Sequence, residues 1–465
     1  MRFLLLLPCA ACSLVPPELP PKQPPDVAPT RVDPVAPVTQ SLAIQPMYRE
    51  LLPIDLRTAS EVALAQAQDV LRAQNATAAA AASVRSVFGW LLPTIAPGIS
   101  YEKVDGTVRA TQGTLVDAAF STVQPVVLAQ WILQPGRVVH ELLAARKRVV
   151  ATRLHERAVR VTTLRAVAAG YHELLAAAAR VGAAQVAFLA ADEAARVTAA
   201  QHRHGLVLAT AARAAAGAAA QREQELRETL LGFHDASIDL ATTLGLDPMV
   251  TLAPVTAEVL PHTLVRTELT VDELLGFAIA QRDDLAAVRE ELAASEHDGG
   301  AAFWSAFGPS VAVGYQTSAV RGSAEGAPAN GFHDQQRLQA GVGWQFDTSK
   351  IAALVAADVA DREAQRVLTE VLLRVRGEVV LAHQVVIAAE PGVAAARQSL
   401  AAATTAGAEA AARHRAGAAP EADLLTARAV EAAARSQLVA AIARYDQAQV
   451  DLLAAIGVLD TTNLP

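Results

Sequence analysis

The sequence predicts a mainly α-helical fold that carries a membrane β-barrel, built as two tandem repeats of helix, strand pair and long helical hairpin. A set of landmarks recurs in fixed order at a shift of 212 to 216 residues: Pro93 and Pro309, Tyr101 and Tyr315, Trp131 and Trp344, Gly205 and Gly417, Gly245 and Gly457. Near-constant spacing over so many pairs marks an internal duplication. Hydrophobic residues make up 52% of the chain but aromatics only 4%. Much of the apolar content is alanine, which favours long, closely packed helices over a bulky core. Four short stretches alternate between apolar and small or polar residues at about the length of a membrane-spanning strand.

The N-terminus comes first. Arg2 and the run Phe3–Leu7 read as the charged and apolar parts of a signal peptide covering residues 1–11. Ala10-Ala11-Cys12 resembles a bacterial lipoprotein processing site, which makes Cys12 the expected lipidation site. Only Cys9 and Cys12 are present, so the mature chain is expected to have no disulfide. Residues 12–49 are proline-rich (PPELPPKQPPDVAP) and read as an extended arm. A net charge of −8 and a pI near 5.8 argue against nucleic acid as a partner. No run of about 18 consecutive apolar residues is present, so no transmembrane helix is expected.

The first repeat covers 50–250. A helix is expected from Asp55 to about Phe88, then strands at about 92–102 and 123–133 joined by a long polar loop (EKVDGTVRATQGTLVD). A helix from Gly136 to Gly205 follows, roughly 100 Å long at 1.5 Å per residue, and a return helix to Gly245 of roughly 60 Å. The second repeat covers 262–460. Thr270 and Glu273 form a capping-box pattern opening a helix to about Glu296. Strands follow at about 309–317 and 337–346, with Val311, Val313, Tyr315 and Val342 on one face and Gly314, Gln316 and Gly341 on the other. Pro391 falls inside the second long helix, where a kink or break is expected.

Four strands cannot close a barrel, and an open edge cannot face lipid because its backbone groups would be unsatisfied. Two chains would give eight strands with a filled interior, whereas three give twelve and leave a lumen. A duct therefore calls for a trimer.

The element order resembles the TolC-type outer membrane efflux proteins over roughly residues 50 to 460. Leu92-Pro93-Thr94 and Gly308-Pro309-Ser310, Trp131 and Trp344, the runs HRHGLVLATA and HRAGAAPEADLL, and the helix ends LGLDP and AIGVLD carry the resemblance. It implies a homotrimer with a twelve-stranded barrel in the outer membrane and an α-helical tunnel projecting into the periplasm. It further implies an exit duct serving a periplasmic adaptor (a membrane fusion protein) and an inner-membrane pump, for efflux or type I secretion. Tyr171 matches a tyrosine common in such long helices, and His383 stands at its second-repeat counterpart.

The resemblance also implies that Asp423, helped by Glu421, belongs to an inward ring narrowing the tunnel entrance. The plainer reading is a carboxylate at a helix N-terminus, favoured by the dipole. Tyr101, Trp131, Tyr315 and Trp344 read as membrane-interface aromatics, with ordinary strand packing as the alternative. His202, His204 and His414 lie near both hairpin tips, but residues two apart on a helix diverge, so no metal site is expected. No nucleophile or phosphate loop stands out, so neither enzyme activity nor a cofactor is expected. A periplasmic adaptor or a non-channel helical rod are the alternative functional classes. The adaptor has one helical hairpin, whereas this chain has two.

Overall fold

The computed structural model describes residues 50–109, 111, 113–255, 259–266, 269–324, 331–346 and 348–464. Cys12, the signal peptide and the proline-rich arm lie outside the described residues. The chain divides into two units by its contacts.

One unit takes in residues 76–153 and 287–369. It contains four antiparallel strands in the order β2-β3-β5-β6: β2 Thr94–Arg109, β3 Leu115–Leu133, β5 Ser310–Ala324 and β6 His333–Gly343. The middle pairing, β3 with β5, joins the two repeats edge to edge. Strands β2 and β6 are left with one unpaired edge each. Three strands are longer than the alternation marked, because the polar residues read as loops continue the pairing. Arg109, for example, still pairs with Leu115. The fourth is displaced toward its N-terminus: β6 begins at His333 and ends at Gly343, leaving Trp344 and Phe346 beyond it. Pro125 sits inside β3, where it has no N–H to donate. The β3–β5 register skips Gln124 and Pro125, resuming from Val123 opposite Arg321 to Val126 opposite Ser318.

The other unit takes in residues 154–286 and 370–465 with the N-terminal described residues up to 75. Its helices are α1 Leu56–Gln66, α5 Val271–Gln281, α4 Ala209–Leu244 and α8 Glu421–Ile456. Helices α2 Gln68–Gly89 and α6 Asp283–Phe307 begin here, and α3 Pro135–Arg203 and α7 Thr348–Arg415 end here. Thr270 caps α5 with the expected reciprocal box: its hydroxyl accepts from Glu273 N, and Glu273 Oε2 accepts from Thr270 N at 2.8 Å. The core is assembled from Leu174, Phe233, Leu240, Leu244, Leu252, Leu274, Leu285, Leu438, Ile442, Leu452 and Ile456, all fully buried.

The structure corrects the reading of the short helices. Each expected single helix is two, jointed at Ala67 and at Arg282 (ψ 129° and 120°). A two-stranded parallel sheet was also unforeseen: β1 Leu51–Ile54 pairs with β4 Thr251–Pro254. Helix α7 runs through Pro391 without a break. The proline deletes one hydrogen bond to Ile387 but does not end the helix. Finally, α3 and α7 each contain an 18-residue window apolar enough to cross a membrane, with mean hydropathy 1.7 and 1.6. The sequence reading looked for an uninterrupted apolar run and expected no transmembrane helix.

Candidate functional site

The sheet's two faces are chemically distinct, and the register shows it row by row. Leu133, Val311 and Val342 stand opposite one another; so do Trp131, Val313 and Ala340; then Ile95, Ala129, Tyr315 and Leu338; then Pro97, Val127 and Thr317; then Ile99 and Pro125; then Tyr101, Val123 and Arg321. The alternate rows carry Thr94 with Gln130, Gly314 and Gln339, and Ser100 with Gln124. On β2 and β3 the first face is apolar from Leu133 to Val123, whereas on β5 and β6 it turns polar beyond Tyr315 and Leu338, at Thr317, Gln336, Asp334 and Arg321. Ten residue steps at about 3.3 Å, tilted by about 40°, span about 25 Å, the height of the apolar band on a membrane barrel. Ile95, Ile99, Leu338 and Val342 are well exposed on it, as a lipid-facing surface requires.

The sequence-predicted aromatics fall at different depths on this band. Trp131 lies one row from its helix-ward end and Tyr101 lies on its far row. Trp344 follows the end of β6. Tyr315 is two rows in, beside Leu338, and packs on the band rather than marking its edge.

At the hairpin tips, the duplication reproduces itself atom by atom. His202 Nδ1 lies 3.0 Å from the Val207 carbonyl, and His414 Nδ1 lies 3.3 Å from the Ala419 carbonyl. A carbonyl only accepts, so Nδ1 carries the proton in both, and each histidine closes its own turn. Backbone bonds Leu206 N to Gln201 O and Ala418 N to Arg413 O complete matching Schellman motifs around left-handed Gly205 and Gly417. Leu206 and Leu208 are exposed on the first tip. On the second, Pro420 precedes α8, and Glu421 and Asp423 stand exposed in its first turn. Among the described residues no three of His, Cys, Asp and Glu form a group that could hold a metal.

Sequence reasoning missed the polar anchors of the helical unit. The Gln449 side-chain oxygen accepts from Leu264 N and Val265 N, Asp446 accepts from His262 N at 2.7 Å, and Thr263 meets the Tyr445 hydroxyl at 3.0 Å. The segment between the repeats is therefore fastened along one face of α8. The hydrogen bond to Asp446 raises the His262 pKa against an opposing effect of burial. His172 behaves oppositely. Burial lowers its pKa, despite a 3.0 Å contact with Gln447.

At the α5–α6 joint, the Arg282 side chain is 11% exposed and reaches Asp284 at 2.6 Å, Glu378 at 2.5 Å and the Ala455 carbonyl at 3.2 Å. Burial works against the Asp284 carboxylate, but hydrogen bonding to Arg282 and its charge win, holding the pKa below the ordinary value. A cavity of about 440 Å³ adjoins this cluster, lined by Arg165, Arg374, Leu381 and Asp451 among others. On its lining Arg165 is paired to Asp451 at 2.7 Å.

The family model for outer membrane efflux protein matches residues 59–246 and 274–458. The chain belongs to the outer membrane efflux protein family. The two matched segments are the two repeats. The fold is that of solved outer-membrane channels. The Campylobacter jejuni CmeC outer membrane channel matches at 17% identity and TM-score 0.74, covering 97% of each chain. A membrane protein from Pseudomonas aeruginosa matches at 20% identity and TM-score 0.69, covering 92% of this chain and 97% of that one. The open state of the Neisseria gonorrhoeae MtrE outer membrane channel matches at 17% identity and TM-score 0.65, covering 95% and 98%. No curated protein matches the sequence. As an outer membrane efflux protein, the chain supplies four strands to a barrel that it does not close by itself.

Proposed function

We propose that this outer membrane efflux protein is the passive exit duct of a tripartite export machine, acting as a homotrimer. The observation that carries the reading is the sheet: one face apolar over membrane height along β2 and β3 and apolar at the helix-ward end of β5 and β6, and two edges left unpaired. An unpaired edge is untenable in lipid. β2 of one copy can pair with β6 of the next, and three copies give twelve strands around a lumen. The helical hairpins then line a periplasmic tunnel, with a periplasmic adaptor and an inner-membrane pump as partners and no catalysis by the duct itself. Lipid attached at Cys12 adds an anchor to the outer membrane. Asp423, with Glu421, forms the entrance ring, where three like charges favour cations.

The decisive test compares Arg substitutions at equal depth on opposite faces. Ile95→Arg, near the middle of the apolar band, is expected to cost about 2–4 kcal/mol and to deplete heat-resistant trimers from outer-membrane fractions. Ala96→Arg, on the other face, is expected to cost less. The reverse order rejects the assignment of lipid and lumen faces. Trimers absent from outer-membrane fractions favour an adaptor or a helical rod. For the gate, Asp423→Ala is expected to weaken cation selectivity in planar bilayers at low salt, where screening is small. An unchanged ion ratio leaves Asp423 as a helix-end charge only. Mass spectrometry of the mature N-terminus checks Cys12; an unmodified residue there removes the anchor.

A further inference from the structure

The duplication gives each helix of one hairpin a counterpart in the other at a shift of 212 residues, with no insertion. Helix α3 ends at Arg203 and α7 at Arg415, and α4 Ala209–Leu244 answers α8 Glu421–Ile456. Counterpart positions can therefore be compared for burial one by one. At one position of the long helices they agree: Val167 and Val379 are both fully buried. On another face they do not. Leu164, Ala168, His172 and Leu175 of α3 are buried, whereas their counterparts Arg376, Val380, Gln384 and Ile387 on α7 are exposed, Val380 at 42% and Ile387 at 44%. The return helices show the reverse disparity. Val439 and Ala443 of α8 are buried, whereas Arg227 and Leu231 of α4 are exposed, Leu231 at 57%.

The buried sets belong to the seam where α3 and α8 run antiparallel within one copy. Two contacts fix its register: Arg165 Nε donates to Asp451 Oδ1 at 2.7 Å, and His172 Nδ1 donates to Gln447 Oε1 at 3.0 Å. The bare face of α7 is thus a copy of the α3 side of this seam, and the bare face of α4 a copy of its α8 side.

We propose that α7 of one copy packs against α4 of the next in the register of the α3–α8 seam, with Gln384 hydrogen-bonded to Asp235. This rests on the homotrimer reading above, to which it adds the helical surfaces and their register. Shifted by the repeat, His172–Gln447 becomes Gln384 beside Asp235 of the second copy, and Arg165–Asp451 becomes Gly377 beside its Asp239. In the first pair a donor still meets an acceptor, since the Gln384 amide can donate to the Asp235 carboxylate. In the second the arginine is lost from its old position, but Arg376 stands exposed next to Gly377, so a cation remains at the level of Asp239. One turn on from Gln384 and one turn back from Asp235, the exposed apolar side chains Ile387 and Leu231 come level. Both carboxylates are exposed in the single copy. A second copy is the occupant that fits both faces. A contact between unlike faces repeats around an axis until the ring closes, and so covers α7 and α4 of every copy. A foreign helix on either face leaves the other bare.

Cross-linking of the full-length protein in membrane fractions tests this. The chain's only cysteines, Cys9 and Cys12, lie at the N-terminus, so single-cysteine variants show their background. A variant with both Gln384→Cys and Asp235→Cys, treated with a short bis-maleimide, is expected to give covalent dimers and trimers on denaturing gels. Neither single variant is expected to do so. Nor is the pair Gln398→Cys with Asp235→Cys, displaced along α7 by about 20 Å. A displaced pair that cross-links as well as the matched one overturns the register. Heat-resistant trimers without a covalent ladder from the matched pair overturn the α7–α4 contact and leave the homotrimer standing. Absence of trimers in the unsubstituted protein overturns the homotrimer and the contact together. An adduct whose mass is not a multiple of the chain shows a different protein on these faces, and overturns the second copy as occupant. A charge exchange gives an independent reading if the cysteine variants fail to fold. Gln384→Glu sets a carboxylate against Asp235 and is expected to lower the yield of heat-resistant trimers several-fold. Adding Asp235→Lys to the same chain is expected to restore it. Equal yields for the unsubstituted, single and double variants reject the pairing.

Discussion

The joints at Ala67 and Arg282 are the same backbone device made with opposite chemistry. In each, the joint residue's N–H still donates to the carbonyl four residues back (Ala63, Ala278), and its own carbonyl still accepts from four residues ahead (Leu71, Ala286). Only ψ departs from helical, so one helix hands over to the next at an angle. In each, the end of a returning helix is set against the joint. A Cβ on Gly245 would stand 2.9 Å from the Gln66 carbonyl, and one on Gly457 would stand 2.9 Å from Arg282 Cα. The first repeat fills the joint with a methyl group, Ala67 at 5% exposure. The second fills it with a guanidinium that ties α7 through Glu378 and α8 through Ala455. Duplication preserved the backbone solution and left the side chain free to diverge wherever partners arose to neutralise it.

The comparison is broken most severely by exchanging the residues. Ala67→Arg places a charge where no described carboxylate is paired to receive it, and is expected to cost about 3–5 kcal/mol, the scale of an uncompensated buried charge. Arg282→Ala leaves Asp284 and Glu378 without their cation. Both are partly exposed, so the expected loss is smaller, about 2 kcal/mol. Unfolding midpoints in detergent measure both. If Ala67→Arg proves the milder change, the first joint is not sealed as the structure shows.

Next in size are Gly245→Ala and Gly457→Ala. Both glycines hold φ near +75° (74° and 80°), which costs an L-residue about 1–2 kcal/mol before any contact is considered. The added Cβ must also displace the Gln66 carbonyl in one and the Arg282 backbone in the other. Similar losses at the two sites are expected if the joints are equivalent. A loss confined to Gly457→Ala would show that only the clamped joint is rigid.

These joints also mark where the sequence stops being legible. Alanine and arginine have high helix propensity, and neither Ala67 nor Arg282 is flanked by a Gly or Pro that would signal a break. The bend is imposed by the returning helix ends, contacts far away in the chain. The β1–β4 pair was hidden for a similar reason: four-residue stretches containing Pro53 and Pro254 look like loops until paired. What was local was readable. The alternation of β5, the Thr270–Glu273 box and the glycines closing each hairpin stand where the sequence put them. The aromatic reading considered only strands, and so left aside Trp90, in the turn ahead of β2, and Trp304, in α6. The proposed entrance ring would be built by symmetry-related copies, which no pattern within one chain displays.

The smallest expected effect concerns the two histidines beside Asp446, and pH is the means of separating them. His262 has a pKa raised chiefly by its hydrogen bond to Asp446. Its contribution is therefore fully present below its unfolded value, about 6.5, and is lost as pH rises through the folded value. His172 has a pKa lowered by burial, with Gln447, Asp446 and Asp451 opposing and His262 assisting. Acidification below about 6.5 protonates it in the unfolded chain but not in the folded one, so it destabilises as pH falls. The two contributions have opposite signs over the same range and so partly offset one another in the intact protein. His262→Asn removes the stabilising half and should make the protein lose stability on acidification. His172→Asn removes the other and should make it gain. Because His262 is 43% exposed, solvent screening limits its half to a few tenths of a kcal/mol. Parallel pH profiles for both variants would show that the contacts of His262 and His172 with this stretch of α8 do not govern stability there.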